Sequence, residues 1–333
     1  MVDLQSYNTF GLAVQAKRLV ALRSVEEARA FLTDRTHFDD PVRVLGGGSN
    51  VLFTQDFPGT LVQLCLTEIR EREIDERYTE VYAGAGVVWN DLVTHTVSRG
   101  LGGLENLTLI WGWVGAAPMQ NIGAYGVEVK DTITAVHTLE VATGKERVFT
   151  KEECRFGYRE SVFKRELAGQ YWITGVTFKL DKEPRLKMAY GDIQKTLAEM
   201  EINTPGIADI SRAVEAIRTA KLPDPRQEGN AGSFFKNPEV APEVASRLQE
   251  RYPLMPTYPA PAGQVKIPAG WLIEQAGWKG HRRTHVGVHP RQALVLVHYG
   301  GGQGSEIIQL AHDIQADVHT KFGIELTPEV NIL

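Results

Sequence analysis

The chain has 333 residues, enough for two or three domains of ordinary size. Its 43% hydrophobic and 23% charged residues match a soluble globular protein, and a net charge of -5 with a pI near 6.0 gives no electrostatic case for nucleic acid. No run approaches roughly 18 apolar residues, MVDLQSYNTFGL lacks a secretory signal, and Cys65 and Cys154 form no motif, so a cytoplasmic protein without membrane insertion or a disulfide framework is expected.

In chain order, short β-branched apolar runs predict strands at 16–20 and 42–45. Between them, Ser24 followed by Glu26 and Glu27 marks a helix start, a Ser N-cap with acids in the first turn. Further strands are predicted at 60–66 and 79–85. A helix is predicted at 89–99, where Leu92, Val93 and Val97 share a side and Gly100 stops it. Residues 133–141 and 146–150 should form a hairpin turning at Ala142-Thr143-Gly144, and 171–180 another strand. Past about residue 200 the composition changes, and a boundary is placed near 205. Helices are predicted at 210–221, 240–251, 269–276 and 305–322, with a Pro-rich loop at 252–268, a strand at 294–298 and a strand-like end at 324–332.

Glycine clusters punctuate this pattern. Residues 102–126, GGLENLTLIWGWVGAAPMQNIGAYG, are too glycine-rich for a helix, since each interior Gly costs roughly 1 kcal/mol relative to Ala. They are too apolar for a solvated linker. The stretch reads either as a Gly-rich wall of a core or as a buried loop whose backbone approaches a polar cofactor. Upstream, Gly46-Gly47-Gly48-Ser49-Asn50 sits between two strand-like runs. It reads as a plain hairpin turn or as a nest of N–H groups that would take a diphosphate. Val51 breaks the dinucleotide fingerprint and no Gly-Lys-Ser/Thr makes a P-loop, so a dinucleotide here would not sit on a Rossmann helix. Gly84-Ala85-Gly86 offers another point of close approach, and 229–238 is a third Gly-rich patch.

His281, His285 and His289 are spaced i, i+4, i+8, but Gly287 and Pro290 oppose a helix and no Cys or carboxylate stands at zinc-like spacing. No metal site is expected. Ser233, next to Lys236 and Asn237, is a loop cap or a proton donor. Arg159 reads equally as half of a surface ion pair and Glu329 as an exposed strand residue.

Six stretches together decide among these readings: Asn8 to Gly11, Leu45 to Leu52, Val114 to Gly126, Cys154 to Arg159, Gly232 to Pro238, and Pro328 to Val330. In this order they strongly resemble the UDP-N-acetylenolpyruvoylglucosamine reductases, the flavoenzymes that make UDP-N-acetylmuramate for bacterial peptidoglycan. The resemblance runs from about residue 5 to the C-terminus. It implies an α+β fold: a two-part FAD-binding domain of the PCMH/vanillyl-alcohol-oxidase type (1–65 and 66–205) plus a C-terminal α+β substrate-binding domain (206–333), whose last strand returns to the first part. It implies non-covalent FAD, NADPH as reductant, and UDP-N-acetylglucosamine enolpyruvate entering the same cleft once NADPH has left. Flavin N5 would deliver hydride to the β-carbon of the enol ether. Arg159 and Glu329 match the residues that stabilise the enolate-like charge, and Ser233 the acid that protonates the α-carbon. For the cofactor, the resemblance points to Gly46, Gly47, Gly48, Ser49, Asn50, Gly115, Gln120, Asn121 and Gly123. For substrate or NADPH it points to Tyr190, Lys221 and Asn237, with Tyr258 as a tyrosine lid. A monomer is implied by the family alone.

One departure stands out. Where the family reads Ile-Pro-Gly-(small)-Val-Gly, this chain reads Ile110-Trp111-Gly112-Trp113-Val114-Gly115. Overpacking typically costs about 1–3 kcal/mol or moves the backbone. Trp111 and Trp113 therefore stack on or beside the flavin, or obstruct it. Two rival functions remain at this point: a flavin oxidase of another substrate, and a non-catalytic nucleotide-sugar binder with its flavin site closed by the two indoles.

Overall fold

The computed structural model describes residues 1–333. The chain forms two compact units. The first comprises Met1–Val2, Ala16–Gly47 and Pro58–Ala220; the second comprises Asp3–Gln15, Gly48–Phe57 and Lys221–Leu333.

The first unit is organised by a five-stranded antiparallel sheet with spatial order Glu146–Thr150, Ile133–Glu140, Tyr171–Asp181, Tyr78–Gly84, Ile69–Glu73. Its central strand, YWITGVTFKLD, is buried along most of its length, as a strand flanked on both sides must be. The outer strand Ile69–Glu73 (IRERE) is almost wholly exposed and charged, which protects an open edge from pairing with another chain. This strand has no apolar alternation, and the sequence reading passes over it. The hairpin from Ile133–Glu140 to Glu146–Thr150 forms as expected, with Gly144 in the left-handed region at φ 68°. Residues Gln15–Leu22, Phe57–Leu64 and Val42–Val44 belong to a second sheet, in which the last two pair in parallel.

The helices follow their local signals. In α1 (Val25–Thr33) the Ser24 hydroxyl accepts the Glu27 N–H at 3.0 Å, satisfying one of the free donors of the first turn. Helix α2 (Trp89–Ser98) ends before Gly100, at φ 68°. A short α3 (Ile193–Glu199) precedes α4 (Ile207–Lys221), which buries Ile210, Ala213, Val214 and Ile217 at the spacing of one helical face. In the second unit, α5 (Pro242–Arg251) and α6 (Ala269–Gln275) are short. Helix α7 (Gly304–Phe322) carries a capping box between Gln303 and Glu306 and closes on Gly323 at φ 68°. No helix is long and apolar enough to cross a membrane.

Several expectations are corrected. The strands flanking the Gly46–Asn50 run do not form a hairpin: Val42–Val44 pairs with Phe57–Leu64, whereas Val51–Leu52 pairs in parallel with Asn331–Ile332. The run is thus a crossing between two sheets. The end of the chain is a strand only at Asn331–Ile332, with an isolated bridge at Pro328; Ile324 and Leu326 are buried outside any strand. The patch beginning at Gly229 is a strand, Gly229–Ser233, paired with Val295–His298, which in turn pairs with Val286–Val288. The Pro-rich 252–268 region contains Tyr258–Pro259 and Val265–Lys266, which form a small sheet with Glu239–Val240.

Candidate active and cofactor site

The Gly46–Gly48 run exposes its backbone. The N–H groups of Gly46, Gly47 and Gly48 donate to no group of the chain, although Gly48 is buried. Buried N–H groups are nearly always paired, so such a row fits an anionic ligand. Each glycine has a local reason. Gly48 is at φ 66°, and a Cβ there would collide with the Tyr7 carbonyl oxygen, while its own carbonyl accepts the Thr9 N–H at 3.0 Å. A Cβ on Gly47 would come within 3.1 Å of the Trp113 ring and 3.2 Å of the Gly112 Cα. The Gly46 carbonyl takes the Gln63 amide at 3.2 Å. The run therefore leaves its donors open to an anionic group such as a diphosphate. By contrast, Gly84 and Gly86 donate to the Glu68 and Leu66 carbonyls at 2.9 Å each, and side chains there would strike the 64–66 backbone. Their close approach is to the chain itself.

The 102–126 loop is held from beneath by polar side chains. Asn121 is fully buried at φ 46°; its amide donates to the Gly157 carbonyl at 2.9 Å and its oxygen accepts the Lys130 N–H at 3.1 Å. Both ends of this side chain therefore pin the loop. Ser161 donates to the Met119 carbonyl at 2.6 Å, and Asn106 to the carbonyls of Tyr125 and Lys187 at 3.0 and 2.8 Å. The Gly115 N–H donates to the Ala85 carbonyl at 2.9 Å, and a Cβ on Gly115 would lie 2.7 Å from that of Ala85. Gly123 is close-packed against Val127, Glu128 and Arg159. Arg159, in the left-handed region at φ 56°, turns its guanidinium onto this loop and donates to the Gly123 carbonyl at 2.8 Å. The structure thus brings Arg159, Asn121 and Gly123 together. Gln120 is half-buried on the same loop.

At the other end of the loop Leu109, at φ 60°, has its N–H bound by the Asn90 side chain at 2.6 Å and its carbonyl by Arg218 at 3.2 Å. Burial holds the Arg218 guanidinium below the usual arginine range, against the pull of Tyr125. The Tyr125 hydroxyl is raised mainly by burial, with Arg218 opposing. Tyr190 packs beside Gly126 and is 48% exposed. Sequence reasoning missed Asn90, Asn106, Ser161 and Arg218, because each acts through a partner tens of residues away and no local pattern marks it. Of the two indoles, Trp111 is 41% exposed and Trp113 half-buried. The Trp113 ring lies against Gly47, where a Cβ would crowd it, and the preceding Gly112 takes φ 126°.

The second unit gathers the remaining residues. Ser233 is exposed at the end of Gly229–Ser233, after a register shift that follows Asn230. The Asn230 oxygen accepts the Gly232 N–H at 2.9 Å, and Gly232 adopts φ 69°. A bulge of this kind re-aims the next side chain. The Glu329 N–H donates to the Phe234 carbonyl at 2.8 Å, and Phe235 bridges Pro328, so Ser233 and Glu329 stand on adjoining segments. Asn50 reaches the Glu329 carbonyl at 3.4 Å, and Asn331 returns to the Asn50 carbonyl at 2.9 Å. The Asn237 oxygen accepts the Ala269 N–H at 2.9 Å, holding the start of α6. Lys221 is exposed at the end of α4, and Tyr258 is 44% exposed on the small sheet.

Two family models match the chain, one described as "FAD binding domain" over residues 16–150 and one as "UDP-N-acetylenolpyruvoylglucosamine reductase, C-terminal domain" over residues 224–333. A Chromobacterium violaceum protein named UDP-N-acetylenolpyruvoylglucosamine reductase is 49% identical over 333 residues, covering 100% of this chain and 98% of its own. A protein of the same name from Azoarcus sp. is 48% identical, over 98% of this chain and 95% of its own. The crystal structure of the Thermus caldophilus enzyme of that name shares the fold, with a TM-score of 0.69 at 24% identity, over 99% of this chain and 97% of that one.

Proposed function

The chain belongs to the UDP-N-acetylenolpyruvoylglucosamine reductase family, and on that premise we propose that it reduces UDP-N-acetylglucosamine enolpyruvate to UDP-N-acetylmuramate for peptidoglycan, with FAD as cofactor and NADPH as reductant. It is an FAD-dependent oxidoreductase with an α+β flavin domain of the PCMH type and a C-terminal domain of this family. The observation that carries the reading is the row of Gly46–Gly48 N–H groups without acceptors, within the stretch matched by the FAD-binding model. We divide the work as 1–65 and 66–205 for the cofactor and 206–333 for the substrate, in a cytoplasmic monomer.

When bound, FAD would carry a hydride from NADPH to the enol ether double bond. The chain's part is to bind, orient and move a proton. Gly46, Gly47, Gly48, Ser49 and Asn50 hold the diphosphate, while Gly115, Gln120, Asn121 and Gly123 shape the wall for the ring. In this assignment Asn121 acts by pinning the loop, since both ends of its side chain are committed within the protein. Arg159 and Glu329 stabilise the charge that develops on the substrate carboxylate, where prearranged groups are worth several kcal/mol. Ser233 gives its hydroxyl proton to the α-carbon and is reprotonated from solvent; its exposed place on a bulged strand end suits that exchange. Tyr190, Lys221 and Asn237 contact substrate or NADPH, with Tyr258 as a lid.

An anaerobic absorption experiment tests the assignment. The protein with FAD should bleach on NADPH and regain its colour on UDP-N-acetylglucosamine enolpyruvate. Ser233→Ala should bleach at the native rate and recolour about 10²–10⁴-fold more slowly, the usual range for a missing general acid. Equal recolouring rates would remove Ser233 from that role.

A further inference from the structure

The surroundings of Trp113 give its indole a use. Its five-membered ring faces Gly47: a Cβ at Gly47 would meet Cδ1 at 3.1 Å and Nε1 at 3.3 Å. The N–H edge of the ring therefore abuts the glycine run. Trp113 is half-buried, and its indole N–H makes no hydrogen bond within the protein and is not sealed inside it, so it is open to an outside acceptor. Beside it, the N–H groups of Gly46 and Gly47 are likewise without acceptors. Backbone bonds from Val114 to the Val87 carbonyl at 2.9 Å and from Ala116 to the Trp113 carbonyl at 3.0 Å hold the residue in place. Three neighbouring donors with no acceptor in the chain can converge on one anionic partner.

Building on the flavin reading above, we propose that Trp113 is a cofactor-binding residue whose indole N–H donates to a phosphoryl oxygen of the FAD diphosphate held at Gly46–Gly47. The ligand chemistry is a dinucleotide diphosphate, and the flavin ring is not required for the contact. The glycine at 47 then has a purpose, since it gives the indole room to lie against the run.

The test is FAD and ADP binding to flavin-free protein, ADP being read by competition with FAD. Trp113→Phe keeps a ring on Gly47 and removes the N–H. It should weaken FAD and ADP by the same factor, roughly ten-fold, the size of one hydrogen bond to a charged group. Trp113→Gln removes the ring but keeps a terminal N–H donor, and should bind both ligands more tightly than Trp113→Phe. If Trp113→Phe does not fold, Trp113→Gln alone should stay within roughly ten-fold of native, the loss one such bond would cause. A larger loss in Trp113→Gln, native affinity in Trp113→Phe, or a loss for FAD without one for ADP would each overturn the proposal. Native protein that takes up no FAD would overturn the flavin reading along with it, whereas equal FAD affinity in native and Trp113→Phe protein would overturn this inference alone.

Discussion

The chain contains two short glycine runs that look alike in composition and behave differently. In Gly84-Ala85-Gly86 every N–H is taken by a carbonyl of the same unit, at 2.9 Å in each case. The glycines are there so that strands can touch. In Gly46-Gly47-Gly48 none of the three N–H groups has an acceptor in the chain. A glycine run is thus no signature of a ligand; what matters is whether its donors are already used. The two ways the 102–126 loop could be read both hold, since that loop is a packed wall through Val114 and Ala117 and the neighbour of the open run through Trp113.

Substitutions should pull the two runs apart. Gly48→Ala forces a side chain at φ 66° into the Tyr7 carbonyl and must shift the turn. FAD affinity should fall on the order of 100-fold, the loss of two hydrogen bonds to a charged group, as read by titration of flavin-free protein. Gly84→Ala drives a Cβ into the Leu66 carbonyl instead. It should cost about 3 kcal/mol in urea unfolding, at the upper end for overpacking, while the folded fraction keeps native FAD affinity. Loss of affinity in Gly84→Ala comparable to that in Gly48→Ala would erase the distinction.

Asn121→Ala probes the wall. It strands the Gly157 carbonyl and the Lys130 N–H and leaves Ala at φ 46°. A destabilisation of about 2 kcal/mol is expected, measured by the same unfolding curve. The smallest signal comes from Cys154, which is fully buried in the core that also holds Val114 and Ala117. Burial pushes its thiol up to about 12, so at pH 8 it should resist a disulfide reagent until the core opens. Gly84→Ala should quicken the reaction of Cys154, and Gly48→Ala should leave it slow. Reaction of native Cys154 within seconds would show that the core beneath the loop is not closed.

Much of the fold was legible because its signals are local. The Ser24 cap, the Gly100 and Gly323 stops, the apolar stripe of α4 and the turn at Gly144 act over a few residues, and the structure follows them. The misread elements lack such signals. Ile69–Glu73 shows no apolar face, Gly229–Ser233 is nearly all small residues, and the buried Ile324 and Leu326 imitate a strand without a partner.

The sequence by itself determined the family, the helices other than α3, the hairpin and the glycine positions, because backbone freedom and apolar spacing are properties of neighbouring residues. Tertiary structure alone decided which glycines are open and which are filled, and that Val42–Val44 and Val51–Leu52 go to separate sheets. It also decided that Asn90 and Arg218 hold Leu109 and that the Trp113 edge meets Gly47. Each of these depends on which distant acceptor or surface a group meets, and a donor's partner is not encoded in the residues beside it.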